Sequence, residues 1–285
     1  HDRRAKGGEH DTRGQEQEFQ LLAKAFDHRI ADVKAAFDSD YPSFAYFSLM
    51  GLIEHCTACH SRLPDDTDFV FGQRLLARMN VDDLDRQDLA DILVATRQFD
   101  IALSELEAEI ADPAIHPIDH DLAGTLIDYL NVAIAVSQDL SRPEKTLTDY
   151  LKRADLPFFL QRRVRVWLAD MRALESELTQ APDFNAALRL FQVAGDSIVV
   201  PGDRSAAVKD LVAASMLRRL LAGGMNSERT GLAYYMLGVI ALRTSELRPS
   251  VPEMELLLVA SIKADPEGPR AKDALALLQE YGFIE

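Results

Sequence analysis

Both cysteines of the 285-residue chain fall in one pentapeptide, Cys56-Thr57-Ala58-Cys59-His60. Two thiols at that spacing, with an imidazole next in line, have four chemistries open to them. They can close a disulfide, cycle as a redox dithiol, bind zinc, or add across the two vinyl groups of a haem. A disulfide between positions three apart on a helix is sterically poor. Zinc in a structural site takes four ligands, usually soft ones, and the chain has no second cysteine pair to supply them. A redox dithiol belongs at the start of a helix that follows a strand, where the helix dipole lowers the thiol pKa; here the pentapeptide ends an apolar helical run. Haem attachment uses all three side chains: Cys56 and Cys59 become thioethers, and His60 reaches the iron as proximal ligand.

Around this centre stand weaker candidates. Arg62 lies two residues past His60 and is a candidate partner for a haem propionate. For the sixth iron position the sequence offers His10, His116, His120 and Met79, and leaves an open site as the alternative. His55 is too close to His60 along the chain to reach the opposite face of the same iron. Met50 and Met79 have helical spacing, at which a methionine more often fills core. His116 and His120 lie in "DPAIHPIDHDLAG", read as a loop able to re-aim a side chain. His10 has a geometric claim: if the first helix folds back on the second, residue 60 comes level with about residue 21. The tail ahead of that point could then cover the haem. His28 falls midway along that pair and reads as solvated or core. The strip "QRRVRVW", 161–167, reads as a solvated basic face.

The elements that must position these residues are helical almost throughout. Phe19, Leu22, Phe26, Ile30, Val33 and Phe37 step by three and four, one apolar stripe on a helix that ends before Pro42. "SFAYFSLMGLIEHC" follows, capped by Ser43 and apolar on every side, as a buried helix would be. Further helices are expected at 72–79, 85–109, 119–136, after Pro143, after Pro157, and at 183–194, 204–222, 228–246, 252–264 and 268–280. Leu160, Val164, Trp167, Met171, Leu174 and Leu178 share one face. "SIVVPGD" is the single strand-like piece, too little for a sheet. The expected fold is all-α, about twelve helices joined by short loops. The expected division is a flexible tail at 1–18, a helical haem-binding region at 19–140 and a second helical region at 141–285.

Two family resemblances follow. "AYYMLGVIAL" and "MELLLVASIKADPEGPRAKDALALL" resemble the tetratricopeptide repeat over residues 229–280. Tyr234, Leu237 and Gly238 match its first helix, Pro266 its repeat end, and Leu275 with Ala276 the next helix. "ELRPSVPEM" inserts extra residues between the paired helices, and Ser261 stands where alanine is usual. The five residues from Cys56 to His60 resemble the haem-attachment motif of c-type cytochromes. The rest departs from them, since two helices precede the motif and some ten follow. Together the two imply a monohaem c-type cytochrome on a tetratricopeptide-like α-solenoid, carrying one covalent haem c.

That resemblance implies single-electron transfer to or from a redox protein partner, with the repeats as docking scaffold and self-association left open. The alternatives are a haem-based sensor or gas-binding protein with an open iron site, and a scaffold subunit of a larger complex. Attachment of haem after export implies a periplasmic or extracellular protein, and the start "HDRRAKGGEH", without methionine, fits a removed leader as well as a trimmed chain. A formal net charge of −15 argues against nucleic acid, which calls for clustered Lys and Arg. No apolar run reaches the roughly 20 residues of a transmembrane helix. No Gly-rich phosphate loop or Ser/His/Asp arrangement points to an enzyme.

Overall fold

The computed structural model of the chain describes residues 16–39, 42–60, 70–79, 81, 84–198, 202–244 and 251–282. Within its helices, the side chains of 16–25, 42, 47, 50, 54, 55, 57–60, 71, 251 and 252 lie outside that description. Among the described residues the fold is all-α, with fourteen α-helices, one π-helical stretch and no strand. Residues 199–201 of the strand-like piece lie outside the described residues, and its Ser197 closes a helix.

Helix α1 (Glu16–Asp38) packs along α2 (Pro42–His60), and α3 (Val70–Leu76) is short. Proline at the first position of α2 is pre-set for helical φ and lacks the N–H that would be orphaned there, so the helix starts at Pro42 with Ser43 inside it. The single helix expected at 85–109 is two, α4 (Arg86–Ala95) and α5 (Phe99–Ala111). Thr96 ends α4 by donating its hydroxyl to the carbonyls of Ile92 and Leu93, at 2.7 and 3.2 Å. Arg97 then takes the left-handed conformation, φ 59°, which turns the chain. The helix expected at 119–136 is also divided. It comprises α6 (Pro117–Ala123), α7 (Thr125–Leu130) and the π-helical stretch Asn131–Val136. Gly124, at φ 89°, separates the first two.

The remainder follows the punctuation of the sequence: α8 (Ser141–Tyr150), α9 (Phe158–Thr179), α10 (Phe184–Ser197) and α11 (Ala207–Gly223). They are followed by α12 (Ser227–Thr244), α13 (Val251–Ala264) and α14 (Pro269–Glu280). Asp183 caps α10 by accepting from the Ala186 amide at 2.9 Å. As the spacing predicts, Leu160, Val164, Trp167, Met171 and Leu178 of α9 are buried, and Leu174 packs beside them. The Trp167 indole N–H donates to the Arg204 carbonyl at 2.8 Å, so its one polar atom is satisfied inside the core.

One cluster of buried side chains runs from Ala90 to Ala260, across residue 140, and a smaller one joins Met254 and Leu258 to Ala274 and Leu278. In the last three helices α12 packs on α13 and α13 on α14. A Cβ on Gly238 would stand 2.9 Å from Leu258 Cδ2, so the missing side chain sets how closely α12 and α13 approach. Ser261 donates its hydroxyl to the Gly231 carbonyl at 2.7 Å, which gives the serine in the expected alanine position a partner. No described helix is long and apolar enough to cross a membrane.

Candidate functional site

The pentapeptide forms the last turn of α2, since that helix runs through His60. On a helix, positions 56, 59 and 60 stand at i, i+3 and i+4 and therefore share one face. The backbone thus places positions 56, 59 and 60 on one side of a helix end. Cys56 is half-buried, and its thiol is free. Burial is the largest influence on it and pushes its pKa up, against a smaller opposing backbone hydrogen bond. At neutral pH the group is a protonated thiol. Reactive redox cysteines have depressed pKa values, so Cys56 lacks the character of a redox dithiol. The side chains of Cys59 and His60 lie outside the described residues.

Two neighbours position this face. A Cβ on Gly51 would meet the Arg29 guanidinium at 3.9 Å, which puts the middle of α2 level with the middle of α1. Antiparallel pairing carries residue 60 to the level of about residue 20, near the start of α1. On its other side α2 packs against α4, where the Tyr46 hydroxyl donates to the Asp88 carboxylate. That hydrogen bond, with burial second, pushes the Tyr46 pKa up to about 12. Asp85 in turn holds the start of α4, accepting from the Asp88 amide at 2.8 Å.

The expectation that α2 is buried all round does not hold. Phe44, Tyr46 and Leu49 are exposed, and Phe44 keeps 58% of its surface. The α1 stripe behaves likewise: Ile30 is exposed and Phe37 is 77% exposed, while Phe26 and Val33 are half-buried. The physical reason is location. Of the neighbours this hairpin packs against most, α4 meets α2, and α13 meets both helices. Their combined surface is too small to cover every apolar side chain of two long helices.

The remaining candidates are spread through the molecule. His116 is the N-cap of α6, its Nδ1 accepting from the Ile118 amide at 3.2 Å. His120 lies inside α6, not in a loop, and is fully buried with Nδ1 3.1 Å from the Tyr150 hydroxyl. Burial foremost, and then the nearby Arg153 charge, push its pKa down, so its ring is neutral at pH 7. Its Nε2 has no hydrogen-bond partner of good geometry, although the Glu109 backbone lies near enough to favour the ring proton. Met79 is half-buried beyond the end of α3, and His28 is exposed on α1. His10 and Arg62 lie outside the described residues, as do the side chains of Met50 and His55. Among the described residues no three His, Cys, Asp or Glu side chains converge as a metal-ligand set.

A buried ion pair between α11 and α12 was not foreseen from the residue pattern. Asp210 is 1% exposed and accepts from Arg243 at 3.2 Å; the same guanidinium lies 4.5 Å from the Phe191 ring centroid. Burial outweighs the arginine and pushes the Asp210 carboxyl up to about 7. The only local signal was an acidic residue set in a helix otherwise rich in Val, Ala, Leu and Met.

No protein-family model, curated protein or solved structure matches the chain, so the reading of its site rests on the residues themselves.

Proposed function

We propose that the protein carries one covalent haem c on Cys56 and Cys59, with His60 as the proximal iron ligand, and exchanges single electrons with a protein partner outside the cytoplasm. The observation that carries this is that positions 56, 59 and 60 fall on one face of the last turn of an apolar helix, with the Cys56 thiol free and protonated. The donor set fits the group: two thiols for two thioethers and one imidazole for iron. When bound, haem supplies a metal centre that gains and loses one electron. The chain's own part is to hold α2 in place through α1 and the Tyr46–Asp88 bond, and to half-bury the Cys56 thiol.

On this reading α12–α14 serve as a tetratricopeptide-like docking surface. Support comes from the close approach at Gly238 and from the successive packing of α12, α13 and α14. Denaturing mass spectrometry tests the first claim, on protein exported through a competent cytochrome-maturation system. The polypeptide should be heavier by one haem, and a bare-chain mass would overturn the proposal. A second reading, an open iron site that binds a small molecule, is favoured by the engagement of His116 in a helix cap and of His120 with Tyr150. Visible spectra separate the two. Low-spin iron with a reversible potential supports electron transfer, and high-spin iron supports sensing.

A further inference from the structure

Away from the pentapeptide, the first turns of α9 and the outer side of α6 put large apolar and cationic side chains on one rim. Phe158 is 78% exposed, Phe159 48%, Leu122 57% and Ile118 38%. The two helices are tied together beneath these groups. Arg163 makes an ion pair with Asp121, and its guanidinium lies 5.8 Å from the Phe159 ring centroid. Arg204 donates to the Asp121 carbonyl at 3.1 Å, a second tie that holds α6. Arg162 and Arg165 are exposed, and neither has a carboxylate partner among the described residues. Most other arginines of the core are paired, Arg142 with Glu107 and Arg172 with Glu144 among them.

The row formed by Phe158, Arg162 and Arg165 has steps of four and three, so the three side chains lie along one side of α9. At a rise of 1.5 Å per residue, Arg162 stands about 6 Å and Arg165 about 10 Å behind Phe158 along the helix axis. Interfacial segments bury their apolar groups roughly 5–10 Å into the boundary between headgroups and acyl chains. A Phe158 ring at that depth leaves both guanidinium groups level with lipid phosphates. We infer that this rim seats the protein on an anionic lipid surface, with Phe158, Phe159, Leu122 and Ile118 in the interface and Arg162 and Arg165 on the headgroups.

The charge at this rim opposes that of the chain as a whole. The chain carries a formal net charge of −15, which an anionic surface repels. That repulsion is screened beyond about 8 Å at physiological salt, whereas the two unpaired arginines act at contact. Asp119 is the exposed carboxylate on the α6 side of the rim, and Asp155 is paired with Arg153. Lipid contact is favoured over a protein groove because exposed rings at the end of a helix stand beside exposed guanidinium groups, the pairing that an anionic lipid surface receives.

The test uses the full chain with its haem and vesicles of phosphatidylcholine and phosphatidylglycerol at seven to three. Flotation at 0.05 and 0.15 M salt should show binding that weakens as salt rises and is lost on pure phosphatidylcholine. Each cation near an anionic surface contributes about fivefold, so R162Q/R165Q should weaken binding about 25-fold. F158S/F159S should weaken it at least tenfold. Circular dichroism must show both variants folded, which their exposed positions favour. Should a variant unfold, F158W serves instead, since its indole emission should shift to the blue on anionic vesicles. Absence of binding by the folded wild type would overturn the inference, as would equal binding to neutral vesicles or an unshifted F158W. Loss of self-association in the variants, with no vesicle binding by the parent, would overturn it too and make the rim a contact between proteins.

Discussion

Eleven of the seventeen residues of α11 are buried. Of α1, burial is described for residues 26–38, and Ala36 is the single buried one. Both helices carry apolar residues at helical spacing, so propensity and pattern do not separate them. What separates them is neighbours. Helix α11 is flanked by α9, α10, α12 and the π-helical stretch, while α1 has α2 and the edge of α13. A packed helix gains stability from every apolar side chain it removes from water, at about 25 cal/mol per Å². The hairpin gains far less of this from its own chain. In this protein the hairpin that carries the Cys56–His60 segment keeps apolar surface outside the protein's own core, and α11, at the centre of the fold, does not.

The sharpest way to break that comparison is to remove the chemistry. In C56S/C59S the proposed haem should be absent from the denatured chain by mass. The helical signal of the core should persist, because the buried cluster begins at Ala90. If unfolding of the core followed, the hairpin would be structurally continuous with the rest and the contrast would fail. The converse substitution is W167A. Trp167 is fully buried and holds the Arg204 carbonyl, so the variant should lose about 3–5 kcal/mol in denaturant unfolding. Haem should still be attached to whatever fraction folds, with an unchanged visible spectrum.

How much of this was legible in the sequence depends on how local each cause is. The Cys56–His60 spacing is read within five residues, and so are the helix starts at Asp183 and Gly268, whereas α2 starts at Pro42 with the expected cap Ser43 inside it. The break between α4 and α5 was not legible, because no glycine or proline marks it. A threonine hydroxyl and an arginine in the left-handed region do that work instead. The apolar residues of α2 were legible, and the expectation that they are buried on every side was wrong. Periodicity says that a face is apolar and nothing about what covers it. His120 was read as a loop side chain because the prolines around it suggested a break, whereas Pro117 starts α6 and carries the histidine inward. Asp210 depends on Arg243, 33 positions away, and no local pattern joins them.

That ion pair makes the core's stability depend on pH in a way the hairpin's should not. The Asp210 carboxyl has a folded-state pKa of about 7, above its usual 3.8, because burial outweighs Arg243. Between these values the folded state holds a proton that the unfolded state has released. Its contribution to stability is therefore complete below about pH 4 and declines as pH rises to about 7. A shift of that size corresponds to a decline on the order of 2–4 kcal/mol. In D210N the decline should flatten, and Arg243 should keep its Phe191 carbonyl, at 3.1 Å, and the Phe191 ring. Denaturant unfolding of parent and variant at pH 4.5, 6 and 7.5 measures the difference. A parent curve that rises across this range would show that the charged pair, not the protonated acid, is the stable form.

The smallest effect concerns the seat of the hairpin on the core. The Tyr46 hydroxyl donates to Asp88, so one side-chain bond links α2 to the start of α4. Tyr46 is itself exposed, and water can replace a partner at such a site, which limits the net worth of the bond to about 0.5–1 kcal/mol. In Y46F the ring keeps its packing and loses only the donor. Global unfolding should therefore move little. Amide exchange in α2 should speed up several-fold as the helix leaves its seat more often, while exchange in α11 stays unchanged. High pH should imitate the substitution, because the phenol that donates is pushed up to about 12 and the donor disappears as pH passes that value. If exchange in α11 accelerated with α2, the bond would couple the two regions, and the contrast between a loosely seated hairpin and a self-sufficient core would have to be abandoned.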